Sequence, residues 1–171
     1  FSIRLKFNLG LIVVAYVILG LTYSVISPIF EAPDESFHFF VIQHLHETGQ
    51  LPVQDLAART LYEQEGSQPP LYYLAGALLI AGVDTQAASE NLRANPFANI
   101  GEPGRPNNKN RYIHTALESW PYRDTALAVH LVRWLSLSLG LITLIATAAL
   151  ARQLFPERRS VALLAAAWVV P

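Results

Sequence analysis

The chain has 171 residues, of which 52% are hydrophobic, and its mean hydropathy of +0.30 exceeds that of an ordinary soluble domain. A membrane protein is therefore the expected class. The net charge of −1 argues against a nucleic-acid-binding protein, and the absence of cysteine excludes a disulfide framework and a thiolate metal site. There is no methionine and the chain begins at Phe1, so we expect a piece of a larger multi-spanning protein.

The first apolar segment runs from Phe7 to Pro28 and contains no charged residue. At about 1.5 Å per residue it is long enough to cross a hydrocarbon core of about 30 Å. It is longer than the apolar part of a typical signal peptide, and no small-x-small cleavage site follows it. We therefore predict a retained transmembrane helix within residues 1–28.

A second apolar segment predicts a transmembrane helix over residues 125–155, and residues 160–171 read as the start of a third. Basic residues flank the far ends of these helices: Arg4 and Lys6 at the beginning, and Arg152, Arg158 and Arg159 later. The positive-inside rule then places the N-terminus in the cytoplasm and residues 29–124 outside, as one large extracytoplasmic loop. The predicted fold class is an all-α integral membrane protein.

Two shorter helices are predicted within this loop. Residues 34–48 follow Pro33, begin with acidic side chains that complement the helix dipole, and precede Gly49, which suits a C-terminal cap. Residues 69–83 begin with Pro69-Pro70 and continue as an uncharged apolar stretch that is short for a span. We interpret this second segment as a re-entrant or surface-lying helix.

Acidic and imidazole groups follow the first apolar segment closely. Asp34 and His38 are four residues apart on one face of the predicted helix, so we expect their side chains to touch. The pair could act as a base or hold a divalent cation, or it could be an acidic helix-start residue beside a surface histidine. Glu35 points away from this face, as a second ligand or as a dipole-complementing residue.

Two further polar groups are candidates for substrate contacts. Gln68 and the tyrosine pair Tyr72-Tyr73 lie where a polar stretch meets the apolar 71–83 segment, and the tyrosines also suit simple anchoring at a membrane interface. Before the second span, Lys109, Arg111 and His114 could grip a phosphate through charge-assisted hydrogen bonds. The alternative is an exposed basic loop or a contact with anionic lipid headgroups.

Taken in order, these residues resemble the N-terminal part of a bacterial C-type-fold membrane glycosyltransferase. The closest likeness is to the dolichyl-phosphate-mannose protein mannosyltransferase and aminoarabinose transferase family. The matching pattern covers nearly the whole chain. It comprises a first transmembrane helix, Pro-Asp-Glu-x-x-His (33–38), Gly-x-Leu-Pro (49–52), an acidic residue (Glu63 or Glu65) followed by Gln-Pro-Pro-Leu-Tyr-Tyr (68–73), and Asn-Lys-Asn (108–110) before the second helix.

The resemblance implies an enzyme of the bacterial plasma membrane that uses a polyprenyl-phosphate sugar at the outer face. The family's acidic residue after the first helix, which activates an acceptor hydroxyl or sits at a metal site, corresponds to Asp34, with Glu35 beside it. From its spacing to Asp34, His38 is the candidate second ligand of a metal ion. The phosphate-binding groups correspond by position to Lys109, Arg111 and His114. Some members carry lysine before the Pro-Pro pair, where this chain has the neutral Gln68.

The expected function is thus transfer of a sugar from a polyprenyl-phosphate carrier to a hydroxyl acceptor, in contact with membrane lipid. Family members use many more helices than this chain offers. The alternative is therefore a truncated, non-catalytic membrane subunit that packs against other membrane protein subunits of a larger complex.

Overall fold

The computed structural model describes residues 8–54, 57–105 and 109–170. Within these ranges all regular secondary structure is helical, apart from one isolated bridge between Ala94 and Tyr112. This confirms the all-α prediction. The α-helices are α1 (Leu9–Ile26), α2 (Glu35–Thr48), α3 (Leu71–Leu79), α4 (Asp124–Leu154) and α5 (Arg159–Ala167), and 3₁₀ turns cover Glu63–Ser67, Ala88–Leu92 and Ala116–Glu118.

The chain divides into two compact units. The span unit contains α1, α5 and the part of α4 from Arg133 onward, and the loop unit covers the described residues between Ser27 and Val132. Helices α1 and α4 are both long and apolar enough to cross a membrane, and only 22% and 17% of their most apolar windows are buried. The nine-residue α5 is too short to span.

Close helix contact within the span unit depends on small residues. A Cβ atom added at Gly20 would collide with the side chain of Leu137, and one at Gly140 would collide with the Tyr16 hydroxyl. That hydroxyl donates a hydrogen bond to the Leu137 carbonyl at 3.1 Å. Small residues and interhelical hydrogen bonds hold helices together where lipid removes the hydrophobic driving force.

Two polar residues near the start of the second apolar helix contact other protein groups. In the loop unit His130 is 3% exposed and stacks on Tyr122, with ring centroids 3.6 Å apart. In the span unit the Arg133 guanidinium donates to the Ser24 carbonyl at 2.7 Å. This contact places a cation on the carbonyl-rich C-terminal end of α1.

The loop unit is built around α2 packed on α3. Phe39, Ile42 and Leu45 of α2 are buried, and α2 ends where Gly49 adopts a left-handed conformation and its N–H bonds the Leu45 carbonyl at 2.9 Å. Helix α3 begins just after Pro69-Pro70, and it covers only the middle of the predicted 69–83 segment.

Gly76 sets the distance between α2 and α3, because a Cβ added there would lie 2.6 Å from Ile42 Cδ1. We expect Gly76→Ala to lower the stability of the loop unit by about 1–3 kcal/mol, the usual cost of overpacking a core. The thermal unfolding temperature of the full chain in detergent measures this. Gly104→Ala is the control, since a Cβ there meets open space. Equal unfolding temperatures for the two variants would contradict this packing role.

Candidate functional site

Asp34 occupies the N-cap position of α2 with its carboxylate exposed. Its backbone is left-handed (φ 59°, ψ 0°), and its side chain makes no capping hydrogen bond. In the described part of the chain this carboxylate has no hydrogen-bond or ion-pair partner. Aspartate tolerates the left-handed region better than most residues. The geometry therefore leaves a negatively charged group free beside the positive end of a helix.

Glu35, the neighbouring candidate, is engaged with the backbone. Its Oε2 accepts a hydrogen bond from the N–H of Phe30 at 2.7 Å. Phe30 is itself left-handed (φ 65°) and only 2% exposed, so its buried N–H requires an acceptor. Glu35 therefore stabilises the turn that precedes α2.

The predicted contact between Asp34 and His38 is not present. His38 Nδ1 is instead hydrogen-bonded to the Tyr73 hydroxyl at 2.8 Å and lies 3.7 Å from Glu65 Oε2. The i,i+4 spacing brings side chains together only when both residues are helical, and Asp34 is not. No group of three metal-ligating side chains with a geometry that could hold a metal ion occurs among residues 8–54, 57–105 and 109–170.

His38 belongs to a polar cluster that we call the His38 cluster: His38, Glu65, Gln68 and Tyr73. Glu65 is 5% exposed and accepts hydrogen bonds from the side-chain amides of Gln68 and Gln64. A buried carboxylate needs such partners to offset its lost hydration. The sequence motif contained Glu65 and Tyr73, but its local spacing did not indicate that they meet His38 from α2.

The environment of Tyr73 keeps its hydroxyl protonated. Burial, reinforced by the negative charge of Glu65 and by Tyr72, raises the pKa of Tyr73 to about 12. The neutral phenol can therefore donate a hydrogen bond to His38 Nδ1. In a neutral imidazole that accepts at Nδ1, the ring proton is on Nε2. The candidate Tyr72 packs edge-on against Tyr73, with ring centroids 5.5 Å apart.

A second polar group, the carboxylate bridge, consists of Glu31, His114 and Glu118. His114 Nε2 lies 2.7 Å from Glu31 Oε1, and His114 Nδ1 lies 2.7 Å from Glu118 Oε2. All three side chains are at most 15% exposed. Because a carboxylate occupies each ring nitrogen, His114 is not open to the phosphate that the sequence analysis assigned to it.

Glu31 anchors this bridge to the backbone as well. It accepts hydrogen bonds from the N–H groups of Arg111 at 2.8 Å and Tyr112 at 2.9 Å. Burial alone would raise the pKa of the Glu31 carboxyl. The two backbone donors and His114 outweigh burial, so the pKa lies below its ordinary value of 4.5.

The three predicted phosphate-binding side chains do not form one group. The Lys109 ammonium donates to the backbone carbonyls of Asn99 and Glu102, both at 2.7 Å, and so closes the loop before it. The exposed Arg111 guanidinium lies 5.3 Å from the centre of the Tyr112 ring. Residues 107 and 108 of the predicted motif lie outside the described residues.

A polar cleft of about 270 Å³ opens beside the carboxylate bridge within the loop unit. It has mixed charge and includes amide and hydroxyl groups. Its polar lining comprises Glu90, Asn91, Arg93, Thr115, Glu118, Arg123, Asp124 and Thr125.

Comparison with known proteins finds no matching family model, no matching curated protein and no matching solved structure. A functional assignment for this chain therefore depends on its own residues and their geometry.

The lowered pKa of Glu31 predicts a pH-dependent contribution to stability. The contribution is present above pH 4.5, the ordinary value, and is lost as the pH falls through the lower folded value. We expect Glu31→Gln to cost about 1–3 kcal/mol at neutral pH through lost charge-assisted hydrogen bonds. Unfolding temperatures measured against pH should show the gap between Glu31→Gln and the parent narrowing below pH 4.5.

Glu102→Gln is the matched control for this series, since Glu102 is exposed and, among the described residues, its side chain pairs with the nearby Arg105. If Glu31→Gln lowered the unfolding temperature at neutral pH no more than Glu102→Gln does, the stabilising role of the carboxylate bridge would be contradicted.

The raised pKa of Tyr73 predicts a late titration. The pKa of Tyr73 in the folded protein, about 12, exceeds the ordinary 10.0. The contribution of the neutral Tyr73 phenol to folding stability is therefore complete below pH 10 and is lost as the pH rises towards 12. NMR of ¹³C-tyrosine-labelled protein would follow the resonance that disappears in Tyr73→Phe and persists in Tyr72→Phe. Ionisation of that resonance near pH 10 in the folded protein would contradict the burial of the phenol beside Glu65.

Proposed function

We propose that this chain forms part of a membrane glycosyltransferase, with Asp34 as the catalytic base. The reaction transfers a sugar from a polyprenyl-phosphate carrier to a hydroxyl acceptor at the outer face of the bacterial plasma membrane. The observation that carries the proposal is the free carboxylate of Asp34. The nearby Glu31, Glu35 and Glu65 each accept hydrogen bonds, whereas the Asp34 side chain is exposed and has no partner among the described residues.

A general base needs a lone pair that is open to the incoming hydroxyl and a charge that persists at neutral pH. The Asp34 carboxylate lies at the N-terminus of α2 and is open to solvent. A non-glycine residue in the left-handed region is also typical of functional sites, where surrounding structure maintains an uncommon conformation. Here the backbone on either side of Asp34 is fixed by Glu35 at Phe30 and by the first turn of α2.

In the proposed reaction the Asp34 carboxylate takes the proton of the acceptor hydroxyl while the hydroxyl oxygen attacks the anomeric carbon. The new carbon–oxygen bond forms as the bond from that carbon to the phosphate oxygen breaks, with inversion at the carbon. The polyprenyl phosphate leaves as an anion, so it needs electrostatic stabilisation more than a proton. The exposed Arg111 guanidinium is the candidate for this charge, and His38, Gln68 and Tyr72 are candidates for contacts with substrate.

Gln68 and His114 already have hydrogen-bond partners within the protein, which limits their contacts with substrate. The Gln68 amide is directed to Glu65, and His114 lies between two carboxylates. The described residues place no group of three metal-ligating side chains around Asp34. The proposed reaction is therefore written for the Asp34 carboxylate alone, and no step of it passes through a metal ion.

The second candidate function is a non-catalytic subunit of a membrane complex. The observation that favours it is exposed apolar surface in the span unit. Leu164 of α5 is 68% exposed, and Trp168, just after α5, is 92% exposed. Apolar side chains of this kind need lipid or a neighbouring helix as cover.

Replacement of Asp34 separates the two functions. Asp34→Asn keeps a residue that tolerates the left-handed backbone but removes the base, so we expect sugar transfer to fall by about 10²–10⁴-fold. Membranes from bacteria that produce the full protein would receive synthetic undecaprenyl-phosphate mannose, galactose or aminoarabinose, and release of undecaprenyl phosphate would be measured.

Glu47→Gln is the control, because it removes an exposed carboxylate from the same helix. Equal turnover by the Asp34→Asn and Glu47→Gln proteins would exclude Asp34 as the base. No turnover by the parent with any of these donors would favour the subunit function.

A further inference from the structure

Helix α3 has two different faces. Angular placement at 100° per residue puts four leucines on one arc: Leu71, Leu74, Leu78 and Leu79, which are 79%, 44%, 78% and 42% exposed. We call this arc the leucine face. The opposite arc holds Tyr73, Gly76 and Ala77, which are buried against the rest of the loop unit.

The leucine face is not suited to water. No charged residue occurs from Leu71 to Val83, so nothing along the helix interrupts the apolar surface. Contiguous exposed apolar surface of this kind marks a contact with a membrane or a partner. Tyr72, which is half-buried, lies at the edge of the leucine face, where an aromatic ring with a polar tip suits a membrane–water boundary.

The connections of the loop unit indicate which apolar phase covers this face. The unit begins at Ser27, immediately after α1 ends at Ile26, and it includes the first residues of α4. Among the described residues, helices α1 and α4 are the two that are long and apolar enough to cross a bilayer. Both chain connections of the loop unit therefore start from a candidate span, and for this reason we take a bilayer as the apolar phase that covers the leucine face.

We propose that the leucine face of α3 inserts into the interfacial layer of that bilayer, with the helix axis in the membrane plane. Nine residues give a helix of about 14 Å, which is too short to cross the hydrocarbon core. An amphipathic helix of this kind lies with its apolar face buried about 5–10 Å into the headgroup and acyl boundary.

This placement would fix the distance of the His38 cluster from the membrane surface. Tyr73 extends from the side of α3 opposite the leucines and contacts His38 and the edge of Tyr72. A helix held in the interface by its leucines would thus keep His38 and Glu65 near the headgroups. The lipid contact stands apart from sugar transfer, because it depends only on the exposed leucines and the two spanning helices.

Spin labelling tests the lipid contact directly, because the chain has no native cysteine. Single cysteines would replace Leu71, Leu74 or Leu78 in the full protein, reconstituted in vesicles of phosphatidylethanolamine and phosphatidylglycerol. Each nitroxide would be probed with oxygen, which concentrates in lipid, and with a nickel chelate, which stays in water. Ile18→Cys on the exposed side of α1 is the lipid control, and Gly104→Cys is the water control.

We expect oxygen to collide with the labels at 71, 74 and 78 more often than the nickel chelate does, as at position 18. At position 104 the order should reverse. Labels on α3 that behave like position 104 would overturn the proposal, because the face would then be in water. Immobilised labels protected from both reagents would overturn it too, since a protein partner or a second copy would then cover the leucines. All three sites are exposed, so these changes leave the core of the loop unit intact.

Discussion

The loop unit depends on one electrostatic constraint, the imidazole of His114 held between the carboxylates of Glu31 and Glu118. Glu31 lies shortly after α1 and Glu118 lies shortly before α4, so the bridge ties together the two ends of the segment between the apolar helices. Charges this buried require complete pairing, because removing one partner leaves the others without compensation. The backbone N–H groups that also reach Glu31 supply part of that compensation.

The carboxylate of Asp34 lies close in sequence to this bridge and differs from the glutamates around it. Asp34 follows Glu31 closely and precedes Glu35, and both glutamates are bound to backbone donors. The chain around Asp34 is therefore fixed by its neighbours, while its own side chain is open. In the described part of the chain the Asp34 carboxylate has no hydrogen-bond or ion-pair partner, and its backbone is left-handed. This contrast with the two glutamates is the reason for proposing a base at this position.

Local sequence patterns predicted the helices well and the contacts poorly. The apolar runs located α1 within 1–28 and α4 close to 125–155, and Gly49 indicated where α2 ends, because these signals depend on adjacent residues. The partners of His38 were missed, since Tyr73 is 35 positions away, and so was the contact of Glu31 with His114, 83 positions away.

The expected pair of Asp34 and His38 failed for a related reason. The helical spacing rule assumes a regular backbone at both residues, and the left-handed turn at Asp34 removes that condition. Phosphate binding by Lys109 and His114 was predicted from their charge and from their position in the family pattern. The structure commits both side chains to other groups, the first to backbone carbonyls and the second to carboxylates.

The most direct test of a polyprenyl-phosphate enzyme is native mass spectrometry of the full protein purified from bacterial membranes in mild detergent. We expect a bound species with the mass of a polyprenyl phosphate or its sugar conjugate. The same species should be bound to the Asp34→Asn protein, because the base is not needed for binding. Retention of ordinary phospholipids alone, after addition of excess undecaprenyl phosphate, would contradict it.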